Sequence, residues 1–176
     1  MPGSISIRGI TSGGGDWAGY SVSAAGDVNG DGIDDLLISG HLADPLGDSG
    51  AGETYVVYGN TAGFSPDFEL SDLDGSDGFT INGIDSQDRS GFSVADAGDV
   101  NGDGIGDLVI GAPLADRGSE TNAGEVYVIF GTTAGFGSAL NLGSLNGTNG
   151  FNFKGHLFGD QAGTSVSSAG DINGDG

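Results

Sequence analysis

The sequence predicts an all-β protein built from repeated four-stranded antiparallel sheets, and three observations support this prediction. A strict 72-residue period relates most of the chain: residues 27–35 recur as residues 99–107, and the same motif begins again at residue 171. The apolar runs are short, regularly placed and rich in Val, Ile, Tyr and Phe, which is typical of strands. No segment with the helical period is long enough to compete with this interpretation.

Each period contains four strand candidates in the same order. The first strand leads into an acidic loop, the second and third are apolar runs, and the fourth is a shorter segment that begins with Phe. In the first and second copies these candidates are residues 19–26 and 91–98, 36–40 and 108–113, 53–59 and 125–131, and 79–83 and 151–155.

The second and third strands are apolar on both alternating faces, so both of their faces must be covered. The fourth strand alternates, with Phe79 and Ile81 against Thr80 and Asn82, as expected of an outer strand with one wetter face. Radial repetition of four-stranded sheets is the β-propeller solution, with about 4 to 8 blades around a channel. A β-sandwich gives no reason for a strict repeat with identical loops.

The period divides the chain into four parts. Residues 1–18 hold the outer strand of a preceding blade, at residues 5–9; residues 19–90 form the first repeat, residues 91–162 the second, and residues 163–176 the truncated start of a third. Two blades and two partial ends cannot close a ring. We therefore expect a fragment of a larger propeller, and self-association of the incomplete propeller is a further expectation.

The acidic loop between the first two strands is a predicted metal site. It places acidic or amide side chains at alternate positions, then a glycine, then another Asp, which concentrates hard oxygen ligands. Neither His nor Cys enters the loop, and a flexible carboxylate cage disfavours Mg²⁺, so Ca²⁺ is the predicted ion. An EF-hand needs a Glu at position twelve, where this chain has Ile38 or Ile110. The alternative is an ordinary Asx turn in which the carboxylates only cap backbone amides.

Composition excludes several other functions. The formal net charge is -21, with 25 acidic residues and four basic ones, so the surface repels nucleic acid and anionic lipid. The chain has no Cys, which excludes disulfides and thiolate metal sites. No stretch approaches the roughly 18 apolar residues of a membrane helix, and no export signal is visible.

Catalytic motifs are absent from the sequence. It contains no Gly-x-Ser-x-Gly elbow and no Cys nucleophile, and His41 and His156 occupy non-equivalent positions in the repeat. We predict two surface histidines, no catalytic or cofactor-binding residue, and no enzymatic activity in this chain. Trp17, Tyr20 and Phe92 lie near the start of the inner strands, where they either form a recognition patch or pack in the core.

The repeated residues resemble the FG-GAP repeats of integrin α-chain propellers and their bacterial relatives. The resemblance lies in residues 91–94 (Gly-Phe-Ser-Val), the acidic loop at 99–107, the following strand at 108–113 and the tyrosine-bearing third strand. It implies a seven-bladed propeller in which the acidic loops join the first two strands of each blade and bind structural Ca²⁺.

The resemblance also implies which loop residues hold the ion. Positions one, three, five and nine donate side-chain oxygens, and position seven donates a backbone carbonyl. The third copy lacks positions seven and nine, so we expect it to bind weakly or not at all. The implied ligands are Asp27, Asn29, Asp31, Ile33 and Asp35; Asp99, Asn101, Asp103, Ile105 and Asp107; and Asp171, Asn173 and Asp175.

The predicted function is therefore a calcium-binding structural or ligand-binding propeller module, similar to integrin α-type adhesion repeats. The resemblance implies an extracellular or cell-surface location and a protein or glycan ligand for the parent propeller, with no nucleic acid and no membrane insertion. The alternative is a non-catalytic scaffold portion of a larger secreted hydrolase, such as a phospholipase with FG-GAP repeats.

Overall fold

A computed structural model describes residues 15–65 and 68–168, and this part of the chain contains β-strands and single 3-10 turns but no α-helix. The predicted strand at residues 5–9 and the third acidic loop lie outside the described residues. The 3-10 turns are Pro45–Gly47, Leu70–Asp72 and Leu142–Ser144. The strands are β1 Val22–Gly26, β2 Asp35–Gly40, β3 Glu53–Val57, β4 Gly78–Asn82, β5 Ser93–Gly98, β6 Asp107–Ala112, β7 Glu125–Ile129, β8 Ala139–Asn141 and β9 Gly150–Lys154.

The strands form two sheets with the same antiparallel meander. The first sheet has the order β1-β2-β3-β4, with β8 added beyond β4, and the second has the order β5-β6-β7-β9. Registers match across the repeat, since Leu37 pairs with Val56 in the first sheet and Val109 with Val128 in the second. The predicted fold class is confirmed: the chain is all-β and its sheets are propeller blades.

The first strand of each sheet ends in a bulge that turns the chain into the acidic loop. The register between β1 and β2 shifts between Ala24 and Gly26, and the register between β5 and β6 shifts between Asp96 and Gly98. Gly26 and Gly98 have φ of 65° and 73°, a left-handed conformation that glycine adopts without strain. The glycine that precedes each acidic loop therefore sets the direction in which the loop leaves the sheet.

The main hydrophobic core lies between the two sheets, as blades packed face to face require. β1 lies against β5, and the largest buried side chains come from both sheets. Burying a side chain of this size stabilises the fold by about 1.5–3 kcal/mol. The core includes Leu37, Val56, Phe79 and Ile81 from the first sheet and Leu108, Ile110, Ile129 and Leu142 from the second repeat.

The sequence did not predict β8, which belongs to the second repeat but joins the first sheet. The connection between β7 and β9 crosses to the neighbouring blade, where β8 pairs in parallel with β4. The Asn82 side-chain amide donates a hydrogen bond to Asn141 Oδ1 at 2.9 Å. Phe136 stacks on Phe79 with ring centroids 4.1 Å apart and an interplanar angle of 10°. We call residues 132–145 the strap, because they tie the second blade to the first.

The strap corrects one prediction about the fourth strand. β4 was expected to have a wetter face, but Thr80 is half-buried and Asn82 is buried. The reason is that β8 covers the edge of β4, which is therefore not the outermost strand of its sheet. β9 has no such cover among the described residues, and its last two residues, Phe153 and Lys154, are exposed.

We expect Leu142→Ala to lower the free energy of unfolding by about 2–5 kcal/mol, because truncating a buried Leu loses transfer energy and leaves a cavity. Leu142 is 2% exposed, and it lies in the strap within the core shared by both blades. Urea unfolding followed by circular dichroism measures the change. Leu157→Ala is the matched control, because Leu157 is 58% exposed. Equal losses for both variants would contradict the role given to the strap.

Candidate metal centre

The two described acidic loops join β1 to β2 and β5 to β6, at the same end of the two blades. The structure brings the five predicted ligands of each loop into one turn. The last Asp of each loop begins the second strand of its sheet. The predicted ligands Asp171, Asn173 and Asp175 lie outside the described residues.

Side-chain oxygens in the first loop bind backbone amides of the same loop. Asp27 accepts hydrogen bonds from the amides of Asp31 at 3.0 Å and Gly32 at 2.8 Å. Asn29 Oδ1 accepts the Asp31 amide at 2.9 Å, and Asp31 Oδ1 accepts the Ile33 amide at 2.9 Å. The Asn29 side-chain amide also donates to Asp31 Oδ2 at 3.1 Å. Three of the side chains therefore form one network of successive Asx turns.

The second loop repeats this network. Asp99 accepts the amides of Asp103 at 3.1 Å and Gly104 at 2.7 Å. Asn101 Oδ1 accepts the Asp103 amide, and Asp103 Oδ1 accepts the Ile105 amide, both at 2.9 Å. The amide of Gly104 is the main cause that holds the pKa of Asp99 below its ordinary value. The same sequence thus folds into the same turn in both copies.

The glycine at position six of each loop takes a left-handed conformation. Gly32 has φ of 87° and Gly104 has φ of 86°. A residue with a Cβ is strained at this angle, which explains why the sharp turn falls on glycine in both copies.

Asp35, the last acidic residue of the first loop, is buried at the base of the loop. Its Oδ2 accepts the Val28 amide at 3.1 Å, and its Oδ1 accepts the Gly59 amide at 2.8 Å. Burial raises the pKa of Asp35 to about 6, and the carboxylates of Asp31 and Asp27 add to this effect. Asp35 therefore links the loop to the segment after β3, and its negative charge lies where water stabilises it poorly.

Asp107 has the same role in the second loop and is 0% exposed. Its Oδ2 accepts the Val100 amide at 2.8 Å, and its Oδ1 accepts the Gly131 amide at 2.9 Å. Burial raises the pKa of this carboxyl, and the two amides offset part of the cost. Loss of either the buried carboxylate or the buried Gly131 amide would leave a buried polar group without its hydrogen-bond partner, so Asp107 anchors the loop.

The sequence analysis missed the role of Gly59 and Gly131. A Cβ on Gly59 would lie 2.3 Å from the Asp34 carbonyl oxygen, and a Cβ on Gly131 would lie 2.2 Å from the Gly106 carbonyl oxygen. Only glycine allows this close approach, which brings its amide to the buried Asp. The signal was visible in the sequence, because a glycine follows the third strand in both copies.

The donor chemistry of the loops fits a hard cation, although the side chains do not stand as a ready cage. Across residues 15–65 and 68–168, no three acidic or histidine side chains are arranged so that they could hold a metal ion. The carboxylates point to backbone amides instead. A carboxylate oxygen has two lone pairs, so an amide hydrogen bond leaves capacity for an ion. The assignment of these residues as metal ligands therefore stays a prediction, because the structure shows their oxygen donors without an arranged coordination shell.

An aromatic cluster lies at the opposite end of the first blade, where β1 begins and β2 ends. Tyr20 and His41 have ring centroids 4.0 Å apart, and both rings contact Trp17 and Phe92. The prediction that both histidines lie on the surface is wrong for His41, which is buried under these rings. Burial is the main cause that lowers the pKa of His41, and the charge of Arg89 adds to it. Trp17 is 59% exposed, so the cluster also presents an aromatic surface.

A family model described as FG-GAP repeat matches residues 18–57 and 91–129 of the chain. These two segments run from the start of the first strand through the third strand of each sheet and include both described acidic loops. The described residues contain no helix long and apolar enough to cross a membrane.

Curated relatives include two kinds of protein. Phosphatidylinositol-glycan-specific phospholipase D of Rattus norvegicus is 36% identical over 114 residues, which cover 65% of this chain and 13% of that protein. Integrin alpha-5 of Xenopus laevis is 36% identical over 121 residues, or 68% of this chain and 10% of the relative. Integrin alpha-4 of Xenopus laevis is 32% identical over 162 residues, or 92% and 14%. The chain thus spans only a small part of the relatives it matches.

We expect Asp107→Ala to lower the free energy of unfolding in the presence of a chelator. The change leaves the amides of Val100 and Gly131 without their acceptor, and the buried Gly131 donor alone costs about 1–3 kcal/mol, while the amide of half-exposed Val100 costs less. Chemical denaturation in chelator isolates this effect from metal binding. Asp34→Ala is the control, because Asp34 is an exposed acid in the equivalent part of the first loop. An unchanged stability of the Asp107 variant would contradict the anchoring role.

Proposed function

Because this chain is an FG-GAP repeat protein, we propose that it is a calcium-stabilised propeller module that presents a ligand-binding surface and carries no active site. The observation that supports calcium most directly is the crowding of negative charge in each loop. Asp27, Asp31 and Asp35 lie in one short turn, and the last of them is buried with a raised pKa. No basic residue occurs in either loop. A divalent cation is the countercharge that such a turn accommodates.

The residues that would hold the ion are the oxygen donors named above. In the first loop they are the side chains of Asp27, Asn29, Asp31 and Asp35 with the Ile33 carbonyl, and in the second their counterparts 72 residues later. Bound Ca²⁺ would supply positive charge to the clustered carboxylates. The chain itself supplies the anchoring, because Asp35 and Asp107 already fasten each loop to the amide that follows the third strand.

The stabilising role follows from which elements meet at the buried Asp. Each loop joins the first two strands of its sheet, and the Gly59 or Gly131 amide brings in the end of the third strand. Fixing the loop backbone therefore fixes three strands in register. An ion that binds only the folded state stabilises it in proportion to the logarithm of ion concentration.

The surface that faces a partner is, in this proposal, the end of the blades that carries Trp17 and Tyr20. Both rings are substantially exposed, and they rest on buried His41 and half-buried Phe92, so they are held rigidly. Exposed aromatic side chains on a rigid support are typical of binding surfaces for proteins and glycans. The similarity to integrin α chains favours an extracellular or cell-surface location.

The similarity to phospholipase D does not favour catalysis by this chain. The matched segment is only 13% of that relative. Neither described histidine is paired with a nucleophilic side chain: His41 lies among aromatic rings, and His156 Nδ1 contacts Arg117 at 3.0 Å.

We expect calorimetric titration of the metal-free chain with Ca²⁺ to give about two sites per chain and a clear rise in melting temperature. Saturation at 100 times the dissociation constant would add about 2.7 kcal/mol per site to the free energy of unfolding. Asp99→Asn removes one charged ligand of the second loop and should lower the stoichiometry to about one at the same Ca²⁺ concentrations.

Asp72→Asn serves as the matched control for this titration, because it removes the same charge from an exposed 3-10 turn outside the loops. It should keep both sites. Titration heats that vanish in the wild-type chain, or that respond equally to the two substitutions, would refute calcium binding by the loops.

A further inference from the structure

A second group of acidic side chains lines a cavity of about 290 Å³ beside the strap, away from the acidic loops. Asp85 and Asp88 come from the connection between the two blades, Asp116 from the connection between β6 and β7, and Glu125 from the start of β7. The apolar part of the lining includes Leu142. We call this space the acidic cavity. Its volume lies at the small end of ligand pockets, so it fits a group of side-chain size.

The charges of the acidic cavity do not balance. Lys154 is the one basic side chain in its lining, and its Nζ lies 2.6 Å from Glu125 Oε1. The other three carboxylates, Asp85, Asp88 and Asp116, form no ion pair with any described basic residue. Asp85 and Asp116 are exposed at the rim, whereas Asp88 and Glu125 are buried. Negative charge therefore continues from the solvent-facing rim to the interior.

Among the acids that line the acidic cavity, Asp88 is the one that most clearly lacks a positively charged partner. It is only 8% exposed, and unlike buried Glu125 it has no ion pair among the described residues. The pKa of Asp88 is raised to about 7. Burial is the largest cause, the carboxylates of Asp85, Asp116 and Glu125 also raise it, and a hydrogen bond from the Asp85 amide lowers it slightly. A carboxylate in this position gains from a cation that enters the cavity.

The first repeat shows the same arrangement at the equivalent positions. Asp16 is 8% exposed, and its Oδ2 is buried without a hydrogen-bond partner among the described residues. Burial and the Asp44 carboxylate raise the pKa of Asp16. The pKa of Glu53 is also raised, mainly by burial, and the carboxylates of Asp16 and Asp44 add to this effect. A buried acid with a raised pKa at the same place in both repeats is a feature of the fold rather than an accident of one loop.

The chemistry of the acidic cavity favours an organic cation over a metal ion. The described residues include no acidic trio placed to hold a metal, and Lys154 already brings an ammonium group to Glu125. An ammonium group on an aliphatic stem matches both parts of the lining, because its charge meets the carboxylates and its stem meets Leu142. A small hydrated metal ion would leave the apolar part unused.

We infer that the acidic cavity binds an alkylammonium group, supplied either by a lysine side chain of a partner protein or by a free polyamine. Lys154 then acts as an internal competitor, because its ammonium group occupies the Glu125 side of the cavity. The site is separate from the acidic loops, so this inference stands or falls independently of calcium binding.

The test is calorimetric titration of the whole chain with 1,5-diaminopentane and with N-acetyl-lysine amide, in calcium and again in chelator. We expect one dominant site, with affinity lowered about fivefold or more by Asp88→Asn, which removes the buried charge and keeps the shape. Asp34→Asn removes an exposed charge elsewhere and should change the affinity less than about twofold. Stronger binding of the lysine analogue assigns the site to a protein side chain, and stronger binding of the diamine assigns it to a polyamine.

Lys154→Gln provides a test with the opposite sign. Removing the internal ammonium group should raise the affinity for either probe, whereas general attraction to an acidic surface predicts a much smaller change. Binding should also weaken between pH 8 and pH 6, because Asp88 takes up a proton in that range and loses the charge that attracts the probe. Equal effects of Asp88→Asn and Asp34→Asn, or an unchanged affinity in Lys154→Gln, would overturn the inference.

Discussion

The structure depends on how closely packed carboxylates are stabilised at the ends of its strands. In both acidic loops, one Asp is fully or almost fully buried and accepts hydrogen bonds from two backbone amides, while the other Asp side chains accept hydrogen bonds from amides within the turn. These hydrogen bonds fix the loop path, but they leave the net negative charge unchanged. The loop backbone therefore holds several carboxylates close together, and under the proposed function an ion bound there would also hold the strands that converge at the loop.

The same constraint recurs at the other acidic groups of the blades. Asp16 and Asp88 occupy equivalent positions, each is buried, and each has a raised pKa. Each repeat thus places unfavourable charge at two separate locations, one in the acidic loop and one at the opposite end of the strands. Burying unpaired charge lowers the stability of the free protein, and selection tolerates it most readily where a ligand restores the balance.

The repeat made most of the fold predictable, because a 72-residue period fixes the number of strands, their order and the position of each loop. Strand type followed from apolar runs such as residues 36–40. β8 was not predictable, because its three residues lack an apolar pattern and form a strand only by pairing with another repeat. The burial of His41 was missed for the same reason, since its aromatic neighbours come from both repeats. In the candidate site, the repeated glycine after the third strand was visible in the sequence, but its hydrogen bond to the buried Asp of the loop depends on contacts that only the folded chain shows.

Because the strap belongs to the second repeat but adds a strand to the first sheet, the first sheet extends beyond the end of the first repeat. A blade cut out along the edges of its own four strands would lose the segment that covers β4, and a row of backbone donors and acceptors would become open to pairing with other chains. A transferred repeat would therefore keep the edge of β4 covered only if the transferred unit carried the downstream connection of its neighbour. The overlap of adjacent repeats protects the array against edge-to-edge aggregation, and it restricts how such arrays grow or shrink during evolution.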